Sequence, residues 1–260
     1  MTKALFFDID GTLVSFKTHR IPDSTVEALT RAKERGLEIY ISTGRPYAII
    51  NNIDPIKHLV NGYVTANGAY CFAGDREISC SPILPEDVDT LLRLARERDF
   101  ACMVVGVKDL TMYNPNDEAR YIFHDLLNVG DCLADAPLSQ VLAQPILQLT
   151  PVISEATERE IRPLLRSVES GRWYPSFTDF TAGGVSKAKG LAEVAAFRGF
   201  SIGETMAFGD GGNDLPIVRA AGIGVAMGNG GEHLREAADY VTTSVDEDGI
   251  ANALRHFNLI

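Results

Sequence analysis

The stretch FFDIDGTLV, residues 6 to 14, carries two carboxylates, Asp8 and Asp10, at the end of an apolar run and just ahead of Gly11 and Thr12. Leu5, Phe6, Phe7 and Ile9 are enough for a buried central strand and too few for a membrane span. The aspartates therefore stand where the strand ends. In an open α/β sheet ligands bind beyond the carboxyl ends of the strands, so acids placed there meet substrate rather than core. Alternation along a strand points Asp8 and Asp10 the same way, and like charges that close call for a cation or a shared proton. A divalent metal is the natural candidate. Taken alone, Asp-x-Asp-Gly reads equally well as a solvated turn, because Asp and Gly both favour turns. Other segments have to decide between the two.

Downstream, Pro22-Asp23-Ser24 opens a stretch with Val26, Leu29 and Ala32 at helical spacing, and Gly36 closes it. Leu37, Ile39 and Ile41 then start a second strand, which ends in Ser42-Thr43-Gly44-Arg45. Strand, helix, strand favours a doubly wound, mainly parallel sheet of Rossmann type, with Thr43 and Asp8 on one edge. A further strand is expected at Tyr63 to Ala66, followed by Asn67-Gly68. From Val185 the same rhythm resumes: a helix to Phe197, a strand at Thr205 to Phe208, and a helix after Asn213. Strands at Ile223 to Ala226 and Tyr240 to Thr242 complete it.

Between these halves the pattern changes. Val88, Leu91, Leu92 and Ala95 make one amphipathic helix, and Ala119, Ile122, Phe123 and Leu126 another. Strand-like runs fall at Ala101 to Val107, Leu110 to Tyr113, Ile146 to Val152 and Arg172 to Phe180. A helix around Glu155 to Ser167 contains Pro163, which should kink it. The expected organisation is thus a discontinuous core, residues 1–82 and 183–260, with a small α+β domain inserted at 83–182. The Gly-rich run Gly228 to Gly231 reads as a loop opening the next helix.

Composition excludes several classes. The 260 residues are 45% hydrophobic and 23% charged, as in globular chains, and can bury a substantial centre. A formal net charge of −11 with no Lys/Arg run argues against nucleic acid as a partner. Cys71, Cys80, Cys102 and Cys132 show neither paired spacing nor a histidine arrangement suited to zinc. The amino-terminal run lacks the layout of a secretory signal, so a cytoplasmic protein is expected, with no membrane and no obligate protein partner evident.

Three further segments carry chemistry. In AFGDGGND, residues 207 to 214, a strand again ends in an acid, Asp210, and Asn213 with Asp214 opens a helix. Asp8, Asp10 and Asp210 could converge on one hard cation; magnesium suits oxygen ligands and keeps room for a phosphate oxygen. By itself this segment reads as a polar turn with a helix cap. In GGVSKAKG, residues 183 to 190, Lys187 stands at a helix start where the chain returns from the insert, placed to meet an anion. Lys189 is the weaker candidate, and lysines are mostly solvated surface groups. Thr43 offers a hydroxyl, Gly44 lets backbone N–H groups approach an oxyanion, and Arg45 could pair with phosphate or with an acid of the core. The plain alternative is a capped strand-to-helix turn.

Taken in order, FFDIDGTLV (6–14), ISTGR (41–45), GGVSK (183–187) and AFGDGGND (207–214) resemble the haloacid dehalogenase superfamily. With TANGA (65–69) and VDEDGIANAL (245–254), the chain resembles the Cof-like sugar phosphatases of that superfamily, which carry a large α+β cap. The resemblance implies that Asp8 is the nucleophile and Asp10 the acid/base. It implies that Thr43 and Lys187 bind the transferring phosphoryl group. Asp210 is implied as a magnesium ligand, with Asp8 and the Asp10 carbonyl completing the protein ligands and Asn213 and Asp214 supporting metal and phosphate. The family often has Gly directly after the lysine; here Ala188 and Lys189 precede Gly190, which keeps Lys189 as second candidate.

The expected function is a Mg2+-dependent phosphatase of small phosphorylated metabolites, sugar phosphates in particular, acting through an aspartyl-phosphate. The inserted domain is expected to set specificity, with Tyr113, Asn114, Asn116 and Asp179 as polar candidates. Two alternatives stand beside it: a phosphomannomutase-like isomerase on a similar core and cap, and a sugar-phosphate-binding regulator without turnover.

Overall fold

The structure is a computed structural model that describes residues 1–126 and 136–260, so Cys132 lies outside the described residues. The chain begins with β1 (Ala4–Phe7), α1 (Asp23–Glu34), β2 (Glu38–Ser42), β3 (Val60–Thr65), β4 (Tyr70–Ala73) and β5 (Arg76–Cys80). The middle contains α2 (Pro85–Glu97), β6 (Cys102–Gly106), β7 (Leu110–Tyr113), α3 (Asp117–Arg120), α4 (Leu138–Leu142), β8 (Ile146–Pro151), α5 (Glu155–Ile161), β9 (Val168–Tyr174) and β10 (Phe177–Ala182). The last stretch holds α6 (Lys187–Arg198), β11 (Thr205–Gly209), α7 (Leu215–Ala220), β12 (Ile223–Ala226), α8 (Glu232–Ala237), β13 (Tyr240–Val241) and α9 (Gly249–His256). The chain divides into two compact units. The first comprises Met1–Gly44, Asn52–Ser79 and Ser186–Ile260, the second Arg45–Asn51 and Cys80–Val185.

In the first unit the described strands form a sheet in the order β13-β12-β11-β1-β2-β3-β4-β5. Every pair from β13 to β3 is parallel, and β3 with β4 is antiparallel. This is the doubly wound α/β sheet. Its central strand β1 is sealed on both faces: Phe6 stacks on Tyr40 at 4.9 Å and Phe7 on Phe208 at 4.6 Å. Burying each ring contributes about 1.5–3 kcal/mol and holds β1 between β2 and β11. Phe7 lies in register with Ile41 of β2 and Phe208 of β11, so the residues that follow these three strands leave one edge side by side. That register brings Asp8, Thr43 and Asp210 together.

The second unit is an antiparallel sheet in the order β7-β6-β8-β10-β9. Alternation along β6 separates two apolar layers. Cys102 and Val104 pack with Leu91 and Leu92 of α2 and with Leu149 and Phe180; Met103 and Val105 pack with Ile122, Phe123 and Phe177.

Several expectations are corrected. The strand before the aspartates ends at Phe7 rather than Ile9, because Ile9 O accepts the N–H groups of Leu13 and Val14 at 3.0 and 2.8 Å and closes a turn. Strand alternation therefore does not set the direction of Asp10. The single strand expected at Arg172 to Phe180 is two strands, β9 and β10, turning at Pro175-Ser176, where proline supplies no donor for a ladder. The helix expected to Ser167 ends at Ile161 in a 3-10 turn, Arg162–Leu164, around Pro163. The helix expected through Ala119, Ile122 and Phe123 runs as α3 into a π-helical segment, Tyr121–Leu126. Strands β4 and β5, short and at the sheet edge, add to those expected from the sequence.

Candidate active site

Asp8 is the residue directly after β1; its N–H bonds to Phe208 O at 3.1 Å, and its side chain is buried. Lys187 is the first residue of α6, which Ser186 caps by accepting the Lys189 N–H at 3.1 Å. The Lys187 ammonium is fully buried and donates to Asp8 Oδ1 and to Asp214 Oδ1, each at 2.6 Å. Lys189 points elsewhere, with its ammonium 3.8 Å from Glu193 and its side chain 40% exposed. Of the two lysines, Lys187 is the one at the carboxylates.

Asp214, fully buried, divides its oxygens between two tasks. Oδ1 takes Lys187, while Oδ2 accepts the N–H groups of Asp210 and Gly211 at 3.1 and 2.9 Å and shapes the turn after β11. Asp210 follows β11 and receives the Thr12 hydroxyl on Oδ1 at 3.1 Å. One oxygen each from Asp8, Asp210 and Asp214 lies within 4.8 Å of the others. Gly11 makes this packing possible. Its φ is +81°, and a Cβ there would sit 2.1 Å from Asp210 Oδ2.

Three carboxylates against one ammonium leave a formal excess of two negative charges, and the acids register it. Burial and then the Asp214 charge raise Asp8 well above the ordinary carboxylate range, with Lys187 opposing. The same two causes push Asp210 up to about 7. Burial would lower Lys187, yet Asp214 and Asp8 outweigh it and hold the ammonium protonated. An all-oxygen donor set short of two positive charges fits a hard divalent cation. Asp10 sits in the turn, paired with Val14 by an isolated bridge, and its charge adds to the pressure on Asp8 and Asp210.

Thr43 is buried just beyond β2, its N–H on Val64 O at 2.9 Å and its carbonyl accepting Asn67 N–H at 3.0 Å. Asn213 donates to Asn67 Oδ1 at 3.1 Å, and this pair lies against Gly44, whose Cβ would stand 3.1 Å from Asn67 Oδ1. Arg45 belongs to the second unit, and its guanidinium donates to Ile49 O and Asn51 Oδ1 at 3.1 and 3.2 Å. Among the polar residues proposed for the insert, Asn116 caps α3 through Ala119 N–H, and Asn114 holds Asp99 and Phe100 O. Asp179 is buried, accepting from Gln148 at 2.8 Å and Thr150 at 2.7 Å.

Sequence reasoning missed two participants. Thr12 stood inside the opening stretch without a role. Asn67 lay in TANGA, where its φ of +55° and that of Ala66 at +48° mark a strained turn that single-sequence spacing does not reveal.

Residues 5–254 match the model of the haloacid dehalogenase-like hydrolases, and the chain belongs to that family. Among solved structures, it is 47% identical to the subclass IIB sugar phosphatase BT4131, with a TM-score of 0.92 and full coverage of both chains. The YkrA protein of Bacillus subtilis (strain 168) is 32% identical over 100% of this chain and 99% of its own. The 5-amino-6-(5-phospho-D-ribitylamino)uracil phosphatase YcsE of the same organism is 27% identical, covering 99% of this chain and 96% of its own. With the family match and these likenesses, the chain is a phosphatase of the haloacid dehalogenase-like hydrolases. No helix among the described residues is long and apolar enough to cross a membrane.

Proposed function

We propose that this phosphatase hydrolyses small sugar phosphates, with Mg2+ bound, through a phosphoryl group carried on Asp8. The observation that carries the reading is the buried Lys187 ammonium at 2.6 Å from both Asp8 and Asp214, with Asp210 in the same cluster. Likeness to the sugar phosphatase BT4131 supports the substrate class.

Lys187 holds Asp8 Oδ1, and the other carboxylate oxygen attacks phosphorus in line with the leaving oxygen. As that P–O bond breaks, Asp10 gives its proton to the departing alkoxide. Asp10, now ionised, takes a proton from water, whose oxygen attacks phosphorus. The bond from phosphorus to Asp8 then breaks, and orthophosphate leaves. Charge spreads over three equatorial oxygens during each transfer; Lys187 and the Thr43 hydroxyl neutralise part of it, with Asn213 and the Gly44 backbone beside them. Asp8, the Asp10 carbonyl and Asp210 would hold the cation, with Asn213 and Asp214 in support; it would supply the remaining positive charge at the phosphoryl oxygens. Asp214 fixes Lys187. Arg45 lies in the second unit, its Nη1 donating to Ile49 O at 3.1 Å and Asn51 Oδ1 at 3.2 Å. That unit is taken as the part that selects the sugar.

The test is incubation of the purified protein with a panel of hexose and pentose phosphates and MgCl2. Stoichiometric release of orthophosphate with the free sugar supports the proposal. Conversion to an isomeric phosphate without orthophosphate overturns it in favour of a phosphosugar isomerase, and tight binding without turnover in favour of a regulator.

A further inference from the structure

The run Gly228 to Gly231 has no part in the mechanism above, yet it wraps Asp210. Gly231 N–H bonds to Asp210 O at 3.2 Å, Met227 N–H to Gly209 O at 2.9 Å, and a Cβ on Gly230 would lie 3.2 Å from the Asp210 Cα. At the tip, the Asn229 amide donates to Gly11 O at 2.8 Å and to Asp210 Oδ2 at 3.4 Å. Its own carbonyl oxygen accepts Val245 N–H at 2.9 Å. One short side chain thus joins the turn after Asp10, the acid after β11 and the carboxy-terminal segment.

The chemistry of the position selects asparagine. Two acceptors, a peptide oxygen and a carboxylate oxygen, need two donor hydrogens from one nitrogen, while Val245 N–H needs an acceptor 2.9 Å away on the same group. Aspartate has no donor and would set a like charge against Asp210. With the amide reversed, oxygen would face both acceptors, so the network fixes its direction. Asp210 then carries a donor on each oxygen, Thr12 on Oδ1 and Asn229 on Oδ2, and each oxygen keeps a further lone pair for a cation. Groups that orient a metal-binding carboxylate in this way tune affinity without touching the ion.

We infer that Asn229 is a positioning residue, holding Asp210 and the Gly11 turn in the geometry that receives the divalent cation. The inference rests on the metal reading proposed above. It makes the Gly-rich loop part of the cation site rather than a simple connection to α8.

The test uses the full-length protein stripped with EDTA and titrated with manganese(II), following loss of the free-ion EPR signal, with circular dichroism to establish folding. Asn229→Ala is expected to weaken manganese binding by about tenfold or more while the protein stays folded. Asn229→Ser, whose side chain is too short to reach Asp210, is the second variant and should lose a similar factor. A folded variant whose affinity stays within twofold of wild type overturns the inference, as does unfolding of both variants, which would make Asn229 a structural tie. Failure of the wild-type protein to bind manganese at all would instead sink the metal reading itself.

Discussion

Replacing Lys187 by alanine removes the only buried ammonium at the carboxylate cluster among the described residues, and the structure lets the consequence be sized. Two charge-assisted hydrogen bonds at 2.6 Å disappear, leaving Asp8, Asp210 and Asp214 with a formal charge of −3 in one pocket. Breaking a buried pair on one side costs about 3–5 kcal/mol unless the stranded acids take up protons. Asp8 is already raised by burial and by Asp214, and Lys187 opposes them, so its loss raises Asp8 further. A protonated carboxyl does not attack phosphorus, and each further unit of pKa removes about tenfold of the ionised form at a pH below it. Loss of a donor to the transferring phosphoryl group is worth about 10²–10³ on its own. We therefore expect kcat/KM to fall by about 10³ or more. The acid limb of the pH profile should move to higher pH, since the ionised form appears only above the raised pKa. The assay is phosphate release from p-nitrophenyl phosphate and a hexose 6-phosphate with saturating MgCl2, on protein shown folded by circular dichroism. Lys187→Arg should not restore the rate, because the larger planar group has no room at a fully buried position. A folded Lys187→Ala protein retaining more than a tenth of wild-type kcat/KM would show that Lys187 neither ionises Asp8 nor binds the transferring phosphoryl group.

Gly11→Ala should cost about 1–2 kcal/mol for its left-handed backbone and push Asp210 out of place, abolishing manganese binding; a variant that binds normally would show the contact to be soft. Asp10→Asn should slow turnover of a hexose 6-phosphate by about 10²–10⁴. With p-nitrophenyl phosphate, whose leaving group needs no proton, it should give a burst of nitrophenolate; equal slowing with no burst counts against Asp10 as acid/base. In the second unit, Asp87 accepts Arg166 N–H, Ser167 N–H and the Ser167 hydroxyl at 2.8, 2.8 and 2.6 Å. Burial pulls Asp87 up, but these donors outweigh it and hold the carboxyl below its ordinary value. Its stabilisation is therefore present above about pH 4 and lost as pH falls through the lower folded-state value. Asp87→Asn should lower stability by about 1–3 kcal/mol at pH 7, with the gap closing in acid; a gap independent of pH in denaturant titrations would contradict this.

Much of the core was legible because its signals are local. An apolar strand ending in acids, a helix closed by Gly36, and a second strand ending in Ser-Thr-Gly each announce themselves over a few residues. The register that places Asp8, Thr43 and Asp210 at one edge then follows from parallel pairing. What stayed hidden depends on contacts across long sequence separations. Asn229 reaches Gly11 over 218 residues, and Thr12 reaches Asp210 over 198, neither with a spacing rule to betray it. Asp214 is named in the sequence as a support for metal and phosphate, but its hold on Lys187 across 27 residues is visible only in the fold. In the insert, aromatic residues stand on both sides of Pro175-Ser176, so the composition of residues 172–180 suits one strand as well as the two strands that turn there.

A phosphoryl group carried on Asp8 can be trapped and located. Rapid acid quench of the enzyme with a hexose phosphate and MgCl2 during the first turnover, followed by proteolysis and mass spectrometry, tests for it directly. One phosphoryl group is expected on the peptide containing Asp8, absent in Asp8→Asn, and accumulating in Asp10→Asn when p-nitrophenyl phosphate, whose leaving group needs no proton, replaces the hexose phosphate. Orthophosphate released in the first turnover with Asp8 unmodified throughout, or the phosphoryl group found on another residue, would contradict it.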